Sequence, residues 1–545
     1  MKKLTLLLSL LLVVSLHVSC QKNTRALDAI MNETFESDGP GGVALVAKDG
    51  EILYRKAFGM ANLELGVEMT PENVFRIGSI TKQFTACAIL KLAEEGKLDL
   101  QDDITKYIED YPTHGHTITI EHLLTHTSGI KSYTGMLEWT AEVRKKDFTP
   151  PELIDFFKNQ PMDFVPGEEF RYNNSAYFIL GYIIELVSGT PYDTYIAETF
   201  FKPLGMKNSY YGSTSRIIPN RAAGYAMGEE GYKNDDFLSM TQPYAAGSLL
   251  STVDDLYTWY TAVMSKEVIT EASLKQATTS YVLSNGKHTD YGYGWFIGNI
   301  QGSLNIQHGG GINGYLTASM FLPEDRLFVA VFSNCTCTDP GDAAVKMAAI
   351  ALGKPFEWDS ISLDEELLKT YEAVYTSEYD GDLVVSYSEG KLLAMRTGGS
   401  ETELTPFEKD QFFVKKGTSS FHFVRENGGD ISYVISKGTG RDIKWKRTDK
   451  PVPTFEAIEL EESVMKEYPG KYELSSDFIL TILLEDGKLF AQATGQQRIE
   501  IIPIAADEFK TIGIDAKLTF NRGEEGRIES LTLHQNGEHK AKRIE

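Results

Sequence analysis

Cysteine is scarce. Four in 545 residues exclude a disulfide scaffold. Cys87 sits in an apolar run and reads as a buried thiol. Cys335-Thr336-Cys337 would close a very tight ring, so free thiols and an optional bond both stay open, and two ligands alone make no metal site. Basic residues are outnumbered, 53 Lys and Arg against 77 Asp and Glu for a net charge of −24. That balance argues against binding nucleic acid or an anionic membrane through charge. Several motifs are missing as well. Without a Gly-x-Ser-x-Gly elbow the α/β-hydrolase route is disfavoured. No glycine fingerprint for a nucleotide stands in strand–helix context, and no cofactor is expected. His114-x-His116 and His122-x-x-x-His126 have metal-like spacing. No His-Glu-x-x-His accompanies them and the sequence places no acidic third ligand, so no metal is expected.

The chain opens with Met1-Lys2-Lys3, an apolar run from Leu4 to Val18, and Ser19-Cys20. Two lysines, a short apolar core and small residues make a secretory signal over residues 1–20. The core is too short to span a bilayer convincingly. Cys20 resembles the lipidated cysteine of bacterial lipoproteins, although His17 stands where leucine is usual, with Leu16 one further back. The expectation is an exported protein in the periplasm or at the outer membrane or cell surface, anchored by lipid on Cys20.

Three segments carry chemistry. In Ser79-Ile80-Thr81-Lys82 a serine and a lysine stand one helical turn apart. That spacing puts both on one face, and a serine hydroxyl needs a base within reach. Phe84, Cys87, Ala88 and Leu92 continue a helical period up to Gly96, so the lysine lies in an apolar setting that eases loss of its proton. Next comes Phe170-Arg171-Tyr172-Asn173-Asn174-Ser175, ahead of an apolar helix from Ala176 to Val187 closed by Gly189. Tyr172 can relay a proton and Asn174 can hold a carbonyl; the plainer reading is a helix cap by Asn174 or Ser175. The third is His308-Gly309-Gly310-Gly311, after the alternating run Leu304 to Gln307. These glycines read as the end of a strand, open to a substrate, or simply as a turn. The strand pattern resumes at Tyr315 to Leu322 and returns as Leu327 to Ser333, a hairpin.

Serine-x-x-lysine, tyrosine-x-asparagine and histidine-x-glycine in this order resemble the family of class C β-lactamases, D-alanyl-D-alanine carboxypeptidases and related esterases. Phe75-Arg76-Ile77-Gly78, His122 to Gly129, Ala246 to Thr252 and Tyr293-Gly294-Trp295 fit the same family. The resemblance implies an α+β, β-lactamase/transpeptidase-like domain over residues 25–355, with an antiparallel sheet flanked by helices, a helical lobe near 65–245 and the site between them. It implies catalysis through an acyl-enzyme: Ser79 as nucleophile, Lys82 and Tyr172 sharing the proton, Asn174, His308 and Gly310 binding substrate, and the amides of Ser79 and Gly311 as the oxyanion hole. Many relatives carry lysine at His308. Histidine is a weak cation at neutral pH, so carboxylate recognition and β-lactam hydrolysis are expected to be weak or absent. The expected substrate is a small peptide, amide or ester. A non-catalytic sensor of cell-wall peptides or lipids is the alternative.

Beyond about residue 355 the helix signals stop and an internal repeat begins. Tyr371 to Tyr375 recurs as Tyr468 to Tyr472, Gly390-Lys391-Leu392 as Gly487-Lys488-Leu489, Phe412 as Phe509, and Phe423-Val424-Arg425 as Phe520-Asn521-Arg522, all offset by 97 residues. Chance matches would scatter in offset. Short alternating strands predict two small antiparallel barrels, over 360–449 and 455–545, that resemble lipocalin-like domains attached to such hydrolases. Between them Lys450-Pro451-Val452-Pro453-Thr454 reads as an extended spacer.

Overall fold

The computed structural model describes residues 23–545 apart from 229, 416, 427–428, 454–456, 476–477, 486, 495 and 536. The signal segment, Cys20 and Thr454 lie outside the described residues. The chain divides into two compact units, one ending at Phe356 and taking in Thr439–Arg441, the other formed by Glu357–Gly438 and Asp442–Glu545. Among the described residues no helix is long and apolar enough to cross a membrane.

The first unit is built on six strands: β1 (Gly42–Lys48), β2 (Glu51–Phe58), β3 (Phe296–Ile300), β4 (Ser303–Ile312), β5 (Tyr315–Leu322) and β6 (Leu327–Ser333). Their spatial order is β3-β4-β5-β6-β1-β2, antiparallel throughout. β1 and β6 are almost continuous apolar runs because both sheet faces are covered. One face packs on a helix over residues 23–34 (α1), through Leu27 and Met31, and on a late helix through Met347 and Ala348. The other face meets the helical lobe through Phe75, Ile77 and Phe84. Asp49 and Gly50, both at positive φ, form the tight turn that the β1–β2 hairpin requires.

Two helices bring the site to the sheet. The helix α2 (Thr81–Glu94) follows a single 3-10 turn at Gly78–Ile80 and is buried all round from Thr81 to Leu90. A helix enclosed on every side must satisfy its polar residues internally. Gln83 Nε2 donates to Tyr260 Oη at 2.7 Å, and Thr85 Oγ1 donates to Ala245 O at 2.7 Å. The helix α3 (Asn174–Ser188) is capped by Asn173, whose side chain accepts from Ala176 N at 3.0 Å, and it ends at Gly189 with φ +69°. The cap is therefore neither Asn174 nor Ser175, and Asn174 is free to face the site. The helix α4 (Pro340–Ala351) is the late helix already met on the other face.

The glycine run corrects the sequence reading. Gly309, Gly310 and Gly311 do not end a strand. They lie inside β4, Gly310 opposite Thr317 and Gly311 opposite Leu316, and the turn falls at Asn313-Gly314. A Cβ on Gly310 would lie 1.9 Å from Ile77 O and 2.4 Å from Thr317 Oγ1. Glycine is needed there for the approach of the Ser79 segment rather than for a turn. Cys335 and Cys337 are joined as a disulfide, and Cys87 is a buried free thiol.

The second unit holds two closed antiparallel barrels of eight strands, running from Ala373–Ser377 to Ile443–Arg447 and from Gly470–Ser475 to Glu538–Arg543. The duplication extends to their internal locks. Tyr371 Oη donates to Asp410 Oδ1 at 2.8 Å, and Arg425 Nε donates to the same oxygen at 3.0 Å. Tyr468 Oη, Asp507 and Arg522 repeat the arrangement at the same sequence offset. Aromatic rings fill both interiors, Tyr371 against Phe412 and Phe423 in one and Tyr468 against Phe509 and Phe520 in the other. The barrels are hydrogen-bonded to each other, Glu401 N to Gly513 O at 2.7 Å and Asp515 N to Gly399 O at 2.9 Å.

Candidate active site

Ser79 is presented by a segment that pairs on one side and packs tightly on the other. Phe75 pairs with Ser251 and Arg76 with Leu250, and Ile77 N donates to Leu249 O at 3.0 Å. Gly78 then takes φ +50° and packs so tightly on β4 that a Cβ would lie 2.9 Å from Gly311 N. The nucleophile's turn is thus wedged against the glycine strand. Ser79 and Gly311 line the same cleft of about 210 Å³ with Asn174, Tyr133, Trp139 and Leu238.

Lys82 enters the site from below Ser79 and is fully buried. Its Nζ stands 3.0 Å from Ser79 Oγ, 2.9 Å from Asn174 Oδ1 and 2.8 Å from Ala246 O. Among the described residues no carboxylate pairs with it, and burial alone pushes its pKa well below that of an ordinary lysine. Its three partners can serve an ammonium, with three hydrogens, or a neutral amine, with two hydrogens and one lone pair; burial favours the neutral form. Ala246 O can only accept. Asn174 turns its oxygen to Lys82 because its Nδ2 donates to Thr134 Oγ1 at 3.1 Å. In the neutral form these two acceptors take the two hydrogens and the lone pair faces the Ser79 hydroxyl. A serine beside an unprotonated amine can lose its proton as it attacks a carbonyl.

Tyr172 completes the cluster. Its hydroxyl bonds with Ser79, and burial raises its pKa, so the phenol keeps its proton. The loop that carries it is held by His126. Arg171 N donates to His126 O at 3.0 Å, and Asn173 N to His126 Nδ1 at 3.1 Å. His122 is committed to a helix cap, with Thr119 N donating to its Nδ1 at 3.2 Å. His122 and His126 are thus each engaged by a backbone amide, and no group of three metal-binding side chains occurs among the described residues.

The structure places His308 behind Tyr172 rather than in the cleft. The histidine is 2 % exposed, and burial pushes its pKa down to about 3, so it is neutral. Gly310 is likewise pressed against Ile77 O. Of the residues singled out in the sequence, Ser79, Lys82, Tyr172 and Asn174 meet around one hydroxyl and Gly311 faces them. His308 and Gly310 form the wall behind. Sequence reasoning missed the aromatic side of the cleft. Gln242 holds it, accepting from Trp139 Nε1 at 2.7 Å through its side chain and from Tyr133 Oη at 2.7 Å through its carbonyl. It also missed Tyr291, two residues before the Tyr293-Gly294-Trp295 motif, whose hydroxyl lies 3.2 Å from His308 Nε2.

Comparison with known proteins agrees with this geometry. The family described as Beta-lactamase matches residues 23–353. Penicillin-binding protein 4* of Bacillus subtilis is 28 % identical over 444 residues, covering 76 % of this chain and 97 % of the relative. The octameric penicillin-binding protein homologue from Pyrococcus abyssi is 30 % identical with a TM-score of 0.55, covering 78 % of this chain and 99 % of that one. A D-stereospecific amidohydrolase from Streptomyces sp. is 25 % identical with a TM-score of 0.54, covering 61 % of this chain and 99 % of that one. By motif order, fold and length of match, the chain belongs to the beta-lactamase family of penicillin-binding-like serine hydrolases.

Proposed function

We propose that the protein hydrolyses a compact, uncharged amide or ester through an acyl-enzyme on Ser79. The observation that carries this reading is the 3.0 Å approach of the buried Lys82 Nζ to Ser79 Oγ, in a site that holds no counter-ion among the described residues. Ser79 Oγ attacks the carbonyl carbon as its proton passes to Lys82. The Ser79 and Gly311 amides receive the developing oxyanion, a donor worth about 3 kcal/mol of transition-state stabilisation. On collapse the bond to the leaving group breaks and Tyr172 supplies the proton that the leaving atom needs. Water then repeats the attack on the acyl group.

The substrate class follows from the cleft walls. Among the described residues that line it, no side chain is charged. Neutral, buried His308 offers no cation for a carboxylate, which disfavours β-lactams and peptides ending in a free carboxylate there. Tyr133, Trp139 and Leu238 suit a single apolar acyl group. The similarity to a D-stereospecific amidohydrolase supports an amide at a D centre. Export with lipid on Cys20 completes the proposal and rests on the sequence alone; loss of membrane fractionation in Cys20→Ala is its test.

The test of the reaction is a panel of p-nitrophenyl esters, D-amino-acid amides, D-Ala-D-Ala peptides and nitrocefin, followed by turnover and intact mass. Neutral amides and esters are expected to turn over with an adduct on Ser79, ahead of nitrocefin and carboxylate-ended peptides. Ser79→Ala is expected to lose both adduct and turnover while keeping its melting temperature. Full activity in that variant, or nitrocefin as the best substrate, would overturn the reading.

A further inference from the structure

His308 has two ring nitrogens, and the structure assigns each a partner. Nδ1 lies 2.6 Å from Gly309 O, a group that can only accept, so Nδ1 carries the proton. Nε2 is left with a single lone pair. Two phenols approach it, Tyr291 Oη at 3.2 Å and Tyr172 Oη at 3.4 Å. One lone pair accepts one well-aligned O–H, so the two tyrosines compete. Among the described residues the Tyr291 hydroxyl has a second acceptor in the oxygen of Tyr177, whose own O–H donates to Leu124 O at 2.8 Å. Tyr291 is fully buried and does not line the cleft.

We propose that Tyr291 is a positioning residue: by donating to His308 Nε2 it occupies the lone pair that would otherwise capture the Tyr172 O–H. The inference rests on the acyl-Ser79 reading above. In acylation the Oγ–C bond forms and the Ser79 proton goes to Lys82. When the C–N bond of an amide breaks, the leaving nitrogen takes the Tyr172 proton, and the Lys82 ammonium makes good that loss. A Tyr172 hydroxyl turned away to His308 cannot make this transfer. Chemistry that needs no such proton, such as departure of p-nitrophenolate, is indifferent to where that hydrogen points.

Leaving-group dependence therefore separates positioning from mere packing. The full-length wild type, Tyr291→Phe, Tyr291→Phe/His308→Leu and Ser79→Ala would be compared on a p-nitrophenyl ester and a primary amide sharing one acyl group. In Tyr291→Phe the amide kcat is expected to fall by about tenfold or more, part of the roughly hundredfold or greater contribution of a general acid, with the ester within about twofold and KM unchanged. Removing the lone pair as well, in the double variant, is expected to restore the amide-to-ester ratio. Equal losses on both substrates, no loss on either, or no recovery in the double variant would overturn the positioning role. A wild type that turns over neither substrate, or no better than Ser79→Ala, would instead overturn the hydrolase reading, and this inference with it.

Discussion

An ammonium at Lys82 would be a buried charge with no counter-ion among the described residues, and its partners serve a neutral amine as well. The folded protein therefore favours the unprotonated form, and its lysine pKa is depressed well below the ordinary 10.5. The sign for activity follows. Below the depressed value the lone pair is filled and Ser79 has no base; above it the base is free. Turnover is expected to rise with pH through a single limb lying far below 10.5, and to vanish in Lys82→Arg, whose guanidinium keeps its proton at any working pH. A limb near the ordinary lysine value, or an active arginine variant, would remove Lys82 as the base. His308 contributes no inflection near neutrality because its value is about 3. The meeting of Ser79 and Lys82 is legible in the sequence, since three residues on a helix fix it. The neutrality of His308 is not, because nothing in a histidine followed by three glycines says which rings enclose it. Tyr291 is hidden for the same reason: its partner lies 17 residues away.

At the scale of elements, the β4 glycines separate two meanings of the same residue. A Cβ on Gly309 would meet nothing closer than Thr317 O at 3.4 Å, and one on Gly311 nothing closer than Leu316 Cδ2 at 3.4 Å. On Gly310 it would strike Ile77 O, a backbone atom fixed by the strand that precedes Ser79. Gly309→Ala is expected to fold and to be labelled by a fluorophosphonate like the wild type. Gly310→Ala is expected to lose about 3 kcal/mol or more of stability, the upper end of overpacking costs, and to lose labelling because the Ser79 turn is pushed off the strand. Thermal unfolding and labelling of the two variants decide it; equal behaviour would mean that β4 yields and the close approach is dispensable. The strands themselves are well read from the sequence where alternation and turn residues agree, as in the β1–β2 hairpin. The glycine strand is misread because a run of glycines carries the signature of a turn, while its true cause is a neighbour distant in sequence.

The whole molecule joins one site to two copies of one barrel. Each barrel has its own aromatic core and its own Tyr–Asp–Arg lock, so each can hold its shape on local contacts. The duplication is legible in the sequence because one constant offset runs through matched aromatic and turn positions. Association of the barrels is not, because the hydrogen bonds joining them, such as Glu401 N to Gly513 O, Gly398 N to Asp515 Oδ2 and Gln535 Nε2 to Gly398 O, fall on turn residues outside the alternating strand pattern. Every residue lining the cleft lies between Ser79 and Asn313. Deleting residues 455–545 is therefore expected to leave Ser79 labelled by a fluorophosphonate at a rate within about a factor of two of the full chain, as for independent distant sites. The cost should appear elsewhere. The barrels form between them a cavity in which Val384, Leu393, Met395, Ile502 and Ile514 alternate with polar groups such as Asp382, Arg396 and Lys510, and removing one barrel bares the apolar residues of the other. The shortened protein is expected to be acylated normally yet to self-associate, which size-exclusion chromatography would show. Loss of labelling in a truncated protein whose remaining barrel still gives its own melting transition would mean instead that the second copy shapes the site.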